Sequence, residues 1–437
     1  MDGLIMAAQL LLGLSFLVGI HEAGHMIAAK AFGMRVEKFS IGFPPKLFGF
    51  KKGETEYSLG MIPLGGFVKI SGMIDESLDT KSLSAEPEPW EFRAKPAWQR
   101  LIVMLGGIIV NVVVGIFIYI VLTYSMGESY ISKEEGNRYG IAVNEAAYEI
   151  GLRNGDKVIA INGNDYERFG DISNPEYLLA DNAYYTVDRN GNQLDINIPS
   201  NFLDKVTTND GMETFISPRV PFQVDVVTED SPAERAGLQS GDRILSVNDI
   251  SINYFDELGE ALDKFKGQEV SLTIDRAEQQ LTLQAEVSEE GTLGFYHQPN
   301  LEVTTKEFTL AESVSTGASR AFSAVYLNAV GIGKMISGDI SPSKASGPIG
   351  IAKIFGSQWD WVRFWSATAF ISMVLAFMNL LPIPALDGGH VVFLLYEMIS
   401  GRKPSDKFLE NSQKVGMLML LVLMVLVIGN DIFKLFS

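Results

Sequence analysis

Four long apolar runs constrain what this chain of 437 residues can become. They cover residues 4–32, 101–124, 364–381 and 415–436. Each reaches or approaches the roughly 20 residues that cross a bilayer as a helix. Inside lipid every backbone polar group must be satisfied within the segment, so these runs are expected as helices. The apolar fraction, 47%, is ordinary, and mean hydropathy is only +0.14; the clustering carries the signal. A soluble chain of this length would read as about three domains. Here the pattern predicts a membrane protein with a soluble insert between the second and third runs. The first run lacks a basic leader and continues through a charged motif with no convincing cleavage site. It is expected as a retained helix rather than a signal peptide.

Charge sets the expected orientation. Residues 30–100 hold 11 Lys and Arg, and residues 382–414 hold four. Residues 124–363 carry 19 basic and 37 acidic side chains, so this segment alone accounts for the net charge of −18. Basic short loops stay on the cytoplasmic side, while long segments cross largely regardless of charge. The acidic segment and both termini are therefore expected outside. An acidic chain argues against nucleic acid as a partner. The absence of cysteine excludes disulfides, thiolate metal sites and cysteine nucleophiles.

Between the runs, residues 54–62 and 67–70 read as strands joined by a Pro63-Leu-Gly-Gly66 turn. Residues 75–96, acidic and proline-containing, are expected as a mobile loop. The insert contains a repeat: residues 145–163 align with residues 231–249 at a constant offset, with Gly151, Leu152, Gly155, Asp156 and Asn162 matching Gly237, Leu238, Gly241, Asp242 and Asn248. The pattern is a short helix, a Gly-Asp turn, an apolar strand and an Asn turn. It resembles the Gly-Leu-x-x-Gly-Asp motif of PDZ domains, which bind extended peptides at a sheet edge. Residues 291–295 resemble the carboxylate-binding loop of a permuted PDZ domain, and read equally as an ordinary glycine-containing strand. Residues 307–337 show loose helical periodicity and are expected as an amphipathic helix near the outer membrane surface.

The chemistry lies in the first run. His21-Glu22-Ala-Gly-His25 places two imidazoles four residues apart on one helix face, where they can grip a single zinc ion. Glu22, near the same face, can accept a proton from an attacking water. Ionisable groups inside an apolar span are costly and point to function. Catalytic zinc usually takes a third protein ligand. His297 is read as a surface residue. Asp387 follows the helix-breaking Pro382 and Pro384 in Asn379-Leu-Leu-Pro-Ile-Pro-Ala-Leu-Asp-Gly-Gly-His390, and would complete a two-histidine, one-carboxylate set. It could instead cap a helix beyond the bilayer. His390 is not taken as a ligand.

His-Glu-x-x-His in the first span, together with Asn-x-x-Pro-x-Pro-x-Leu-Asp-Gly in the third, resembles the site-2 proteases, intramembrane zinc metalloproteases. The resemblance covers nearly the whole chain. It includes Gly107-Ile-Ile-Val-Asn111, Ile62-Pro-Leu-Gly-Gly-Phe-Val-Lys69 and Ser346-Gly-Pro-Ile-Gly-Ile-Ala352. It implies His21, His25 and Asp387 as zinc ligands and Glu22 as the catalytic base. It implies Asn379 and the strand residues Gly65, Gly66, Phe67 and Val68 as substrate-binding, with Gly107, Asn111, Pro382 and Pro384 in support. Asn379 also reads as a helix-packing amide, and Asn111 as one that merely orients the site.

The expected fold is a polytopic α-helical membrane protein with four transmembrane helices, a membrane-associated β-hairpin and two mixed α/β PDZ domains between spans two and three. Expected boundaries are 1–33, 34–100, 101–124, 125–217, 218–300, 301–363, 364–386, 387–414 and 415–437. The resemblance implies hydrolysis within single-span substrates that an upstream protease has already cut, anti-sigma factors and signal-peptide remnants among them. It implies a bacterial inner membrane, with the PDZ pair on the periplasmic side and the active site nearer the cytoplasm. The PDZ pair would bind a new carboxyl terminus, filter substrates by size, or act as a spacer. A catalytically silent membrane-anchored PDZ adaptor is the alternative.

Overall fold

The computed structural model describes residues 2–73, 86–208, 211–212, 214–299 and 301–436. It contains two compact units, one of Met1–Gly127, Glu307–Ser337 and Ser341–Ser437, the other of Glu128–Lys306 and Gly338–Ile340.

The first unit is a helical bundle of α1 (Asp2–Ala31), α2 (Ala97–Met126), α3 (Leu310–Ser337), α4 (Pro348–Phe355), α5 (Trp361–Leu380), α6 (Asp387–Ser400) and α7 (Asp406–Phe436). Among the described residues, Gly3–Ala31, Ala97–Met126, Trp361–Leu380 and Lys407–Lys434 are long and apolar enough to cross a membrane. Helices α1 and α2 meet backbone to backbone: a Cβ on Gly106 would lie 2.6 Å from the Gly24 carbonyl oxygen. Without a strong hydrophobic force between helices in lipid, such small-residue contacts let the chains approach closely. Leu10 and Leu17 of α1 pack with Phe355, Phe364, Ala367 and Ile371. Ala29, Val103, Met104, Val391 and Leu394 form a second core that receives Val36, Val68 and Ile70 from the sheet.

That sheet differs from the expected hairpin. Its strands are β1 (Val36–Lys52) and β2 (Thr55–Ile70), and the chain reverses at Gly53, whose φ is +62°. The Pro63–Gly66 segment lies inside β2 and is not the turn. Phe39 of β1 pairs with both Tyr57 and Val68, and Ile41 with both Leu59 and Gly66. The two ends of β2 thus flank one stretch of β1, and residues 60–65 carry the chain around it. Proline and glycines there serve a crossing, a role that local turn chemistry cannot distinguish from a reversal.

Other boundaries also move. Helix α5 stops at Leu380, because Pro382 and Pro384 lack N–H donors and clash with the preceding turn. The segment expected as a loop after Asp387 is helix α6, ended by Gly401 at φ +69°. Its Gly388 and Gly389 lie against backbone carbonyls of residues 380, 381 and 383, so a side chain at either would collide. Arg100 on α2 donates to Glu397 on α6, which ties the far end of α6 down. Helix α7 begins nine residues before the expected 415. The helix expected at 307–337 runs from Leu310 to Ser337 and packs along α2 and α5. Ala321 and Ala324 cluster with Met373, Val112 and Ile116, and a Cβ on Gly317 would lie 2.7 Å from Ile120 N. Its small residues, rather than its apolar ones, form the seat. Of the expected mobile loop at 75–96, residues 75–85 lie outside the described residues. The remainder is anchored, with Phe92 buried and its N–H donating to Ser71 O.

The second unit holds the repeat. Residues 145–149 and 232–236 are short helices, capped by Asn144 and Ser231 side chains. Strands Lys157–Ile161 and Arg243–Val247 follow, each paired with a long hairpin, Tyr184–Arg189 with Asn192–Asn197 and Glu269–Arg276 with Gln279–Glu286. Each copy buries its own apolar cluster, including Val158, Ile161, Tyr185 and Val187 in the first and Ile244, Val247, Leu272 and Ile274 in the second. The unit extends past the expected boundaries: Glu128–Ile131 pairs with Val303–Lys306, which brings its two ends together. Residues 303–306 are therefore strand, not linker.

Candidate metal centre

Several elements of the first unit converge on one cavity of about 850 Å³. Helix α1 supplies His21, Glu22 and His25, α2 supplies Asn111, β2 supplies Gly65–Ile70, and the α5–α6 break supplies Asn379 and Asp387. His21 Nε2 and His25 Nε2 lie 3.1 Å apart. Asp387 Oδ2 is 3.1 Å from the first and 3.3 Å from the second. Three ligands of a tetrahedral zinc, each about 2.0–2.1 Å from the ion, sit roughly 3.3 Å apart. The donor set fits that spacing.

Burial makes the same case. His25 is 5% exposed, and Asp387 Oδ2 is buried with no hydrogen-bond partner among the described residues. A buried, unpaired carboxylate oxygen is expensive. Two imidazole nitrogens face it and each other, and a cation placed among them would satisfy all three. Gly107 on α2 backs this cluster: a Cβ there would lie 2.5 Å from His21 Cε1 and from His25 Nε2. Any larger residue would push the rings off the common point.

The tautomers follow from the outer contacts. His25 Nδ1 lies 2.8 Å from Val103 O, which can only accept, so Nδ1 carries the proton and Nε2 keeps its lone pair. The Asn111 amide lies 3.3 Å from His21 Nδ1, while its Oδ1 is buried and unpaired. An amide has the same shape either way round, so hydrogen bonding decides its orientation. Turned to present Oδ1, Asn111 accepts from His21 Nδ1–H and leaves His21 Nε2 free as well. Ser372 of α5 donates to the Asn111 carbonyl at 2.8 Å and holds α2 in place.

Glu22 lies in the cavity wall beside the cluster, with its carboxylate in reach of the Val68 backbone N–H. Gly66 is closely packed, since a Cβ there would lie 2.7 Å from Val18 Cγ1 and 3.3 Å from Glu22 Cγ. The Asn379 amide lies 3.4 Å from His21 Nε2. The structure thus brings together His21, Glu22, His25, Asp387, Asn379, Asn111, Gly65, Gly66, Phe67 and Val68. Gly107, Pro382 and Pro384 are not part of the cavity wall. His297 belongs to the other unit, half-buried and stacked on Phe255 with ring centres 3.7 Å apart. His390, three residues beyond Asp387 on α6, also lines the cavity. So does Gln413 of α7, which sequence reasoning missed. Its only signal was an amide three residues before Gly416 at the head of an apolar run.

Comparison with known proteins agrees with this chemistry. The family model described as Peptidase family M50 matches residues 9–423. The chain is 29% identical to a protein of Vibrio cholerae named putative zinc metalloprotease, over 97% of this chain and 98% of the relative. It is 29% identical to the regulator of sigma-E protease RseP of Escherichia coli, over 98% of each. It is 28% identical to the zinc metalloprotease RasP of Shouchella clausii, over 97% of each.

Proposed function

Because the chain belongs to peptidase family M50, and is thereby an intramembrane zinc metalloprotease of the site-2 type, we propose that His21, His25 and Asp387 hold its zinc and that Glu22 is its catalytic base. The observation that carries this reading is the convergence of two imidazole nitrogens on a buried carboxylate oxygen that has no hydrogen-bond partner among the described residues. When bound, the zinc supplies Lewis-acid polarisation of a carbonyl and acidifies a water nucleophile. Glu22 takes the proton of the attacking water on its carboxylate and returns it to the leaving amine. Val103 and Asn111 fix the two histidines in the tautomer that leaves Nε2 free. Asn379 holds substrate backbone near the scissile bond.

A transmembrane helix hides its backbone, so a substrate must be locally unwound before attack. The Gly65–Val68 stretch of β2 pairs with β1 on one side only among the described residues, and lines the cavity. An extended substrate adds to that edge by β-augmentation. The two repeat lobes of the second unit are PDZ domains, supported by the duplicated helix, Gly-Asp turn and strand. The strand Phe295–Pro299 follows the Gly291–Gly294 loop and pairs with Phe222–Val227, which suits a permuted PDZ groove. The pair filters substrates by size on the periplasmic side of an inner membrane. The substrates are single-span proteins already shortened by a first protease, anti-sigma factors and signal-peptide remnants among them.

The test is cleavage of a single-span reporter with its outer domain already trimmed, in membranes carrying wild-type or Glu22→Gln protein, with bound zinc measured in both. Cleavage by wild type alone, with zinc in both, is expected. Equal cleavage by the two proteins would remove Glu22 from the mechanism.

A further inference from the structure

Helix α7 is the least enclosed of the four long apolar helices, with 11% of its most apolar window buried. Val415, Leu418, Met419, Leu421, Val425 and Leu426 are all exposed, as suits a lipid-facing helix. Gln413 breaks that pattern. It is polar, 4% exposed, and turned inward one turn before Gly416. Gly416 seats the helix so closely that a Cβ there would overlap the Pro384 carbonyl oxygen. This contact fixes α7 against the α5–α6 break that carries Asp387.

The Gln413 side chain has no hydrogen-bond partner among the described residues, yet it contributes to the wall of the same cavity as His21, Glu22, His25, Asn379 and Asp387. A carboxamide carries two donors and one acceptor oxygen. The residue as a whole is 4% exposed, and the space it lines is the cavity, so its donors and acceptor are available to a group that enters there. A lone carboxamide on a helix face that is otherwise apolar, placed in the wall of a cavity, suits a polar group that enters the cavity. An unwound peptide segment brings unpaired N–H and C=O groups, which a carboxamide complements on both counts.

We propose that Gln413 is a substrate-binding residue that holds the backbone of the extended segment in the catalytic cavity. The assignment rests on the proteolytic reading above and adds a contact from the last helix. Because the contact is to backbone, its effect is independent of substrate side chains.

The experiment uses the full-length protein and two single-span reporters of unrelated transmembrane sequence. Gln413→Met preserves length and removes both hydrogen-bonding functions. It is expected to raise KM about tenfold for both reporters, with kcat within twofold and zinc content unchanged, as loss of one or two buried hydrogen bonds gives. In the Glu22→Gln background, affinity for the same reporters is expected to fall about tenfold on adding Gln413→Met. That binding readout stands even if wild type cleaves neither reporter, so failure of the proteolytic reading and failure of this one are distinguishable. Gln413→Ala, checked by zinc content, replaces Met if the latter protein does not accumulate. An unchanged KM and affinity would overturn the proposal. So would an effect on one reporter only, or a fall in kcat with loss of zinc, which would mark a packing role.

Discussion

Both units of the molecule bury aspartates, and they treat them in opposite ways. In the second unit Asp156 and Asp242 are fully buried, and each is clamped by one arginine. Arg189 donates to both oxygens of Asp156 at 2.7 Å and to Gly151 O at 2.8 Å. Arg276 repeats this on Asp242 and Gly237 O at the same distances. Backbone N–H groups of Arg153 and Gln239 complete the two sets. In the first unit Asp387 meets imidazole nitrogens and no fixed cation among the described residues. Asp431 on α7, also in the first unit, is a third variant, satisfied by the N–H groups of Gly347 and Ile349 at the start of α4. A carboxylate whose counter-charge is built into the fold stabilises a lobe. One left with an open oxygen beside two imidazole nitrogens suits a cation that the chain does not supply, the role proposed for Asp387.

The sharpest way to break this contrast is Asp387→Asn. Bound zinc is expected to fall to background and cleavage by about a thousandfold or more, as metal analysis and a reporter assay would record, while the second unit keeps its stability. Wild-type zinc content in that variant would show that the open oxygen is not reserved for metal. Next in size, Asp242→Ala or Asp156→Ala is expected to destabilise its lobe by about 1–3 kcal/mol, since buried hydrogen bonds are lost while the partly exposed arginine can be hydrated. Chemical denaturation of the variant would measure this, with zinc content unchanged. Replacing Asp242 and Arg276 together by leucine should recover only part of that loss, because the Gln239 N–H and the Gly237 carbonyl lose their partners.

A smaller effect sharpens the comparison within the metal centre. Asn111→Leu is expected to weaken zinc affinity about 10- to 100-fold by freeing the His21 tautomer. Asn111→Asp, which can still accept from Nδ1–H, should retain most of it. Competition with a chelator separates the two; equal losses would count against the tautomer argument. The smallest expected effect lies at His297, a titratable group of the second unit stacked on Phe255. Burial pushes its imidazole below the usual value, so the folded state prefers it neutral. The unfolded chain then binds the proton more readily, and stability is lost as pH falls below roughly 6.5. Thermal unfolding from pH 7.5 to 5 should show this decline, flattened in His297→Phe.

The proposed metal cluster is legible in the chain because its histidines are local in sequence. Residues four apart on a helix share a face whatever the rest of the chain does. Asp387 is legible by a different route, since two prolines break the apolar run just before it and leave a carboxylate that no neighbour in sequence can pair. The repeat is visible at its Gly-Asp turns, but the arginines that complete it are not. Arg189 and Arg276 lie more than thirty residues from their partners, and only strand pairing brings them across. The sheet shows the opposite failure: Pro63–Gly66 has the composition of a turn, yet the reversal sits at Gly53, because pairing on both sides of β1 sets where β2 must cross.

The sequence by itself determined the four apolar helices, the acidic repeat-bearing insert and the facing of His21 and His25 on the first helix. Each follows from periodicity or from the cost of placing charge in lipid, and both are local properties. Tertiary structure alone decided that α6 is a helix braced by Arg100, and that the 310–337 helix packs along α2. It also decided that Gly107 cradles the imidazoles and that Gln413 turns into the cavity. These depend on which backbones approach within a few ångströms, and that distance is set by small residues meeting across helices far apart in the chain.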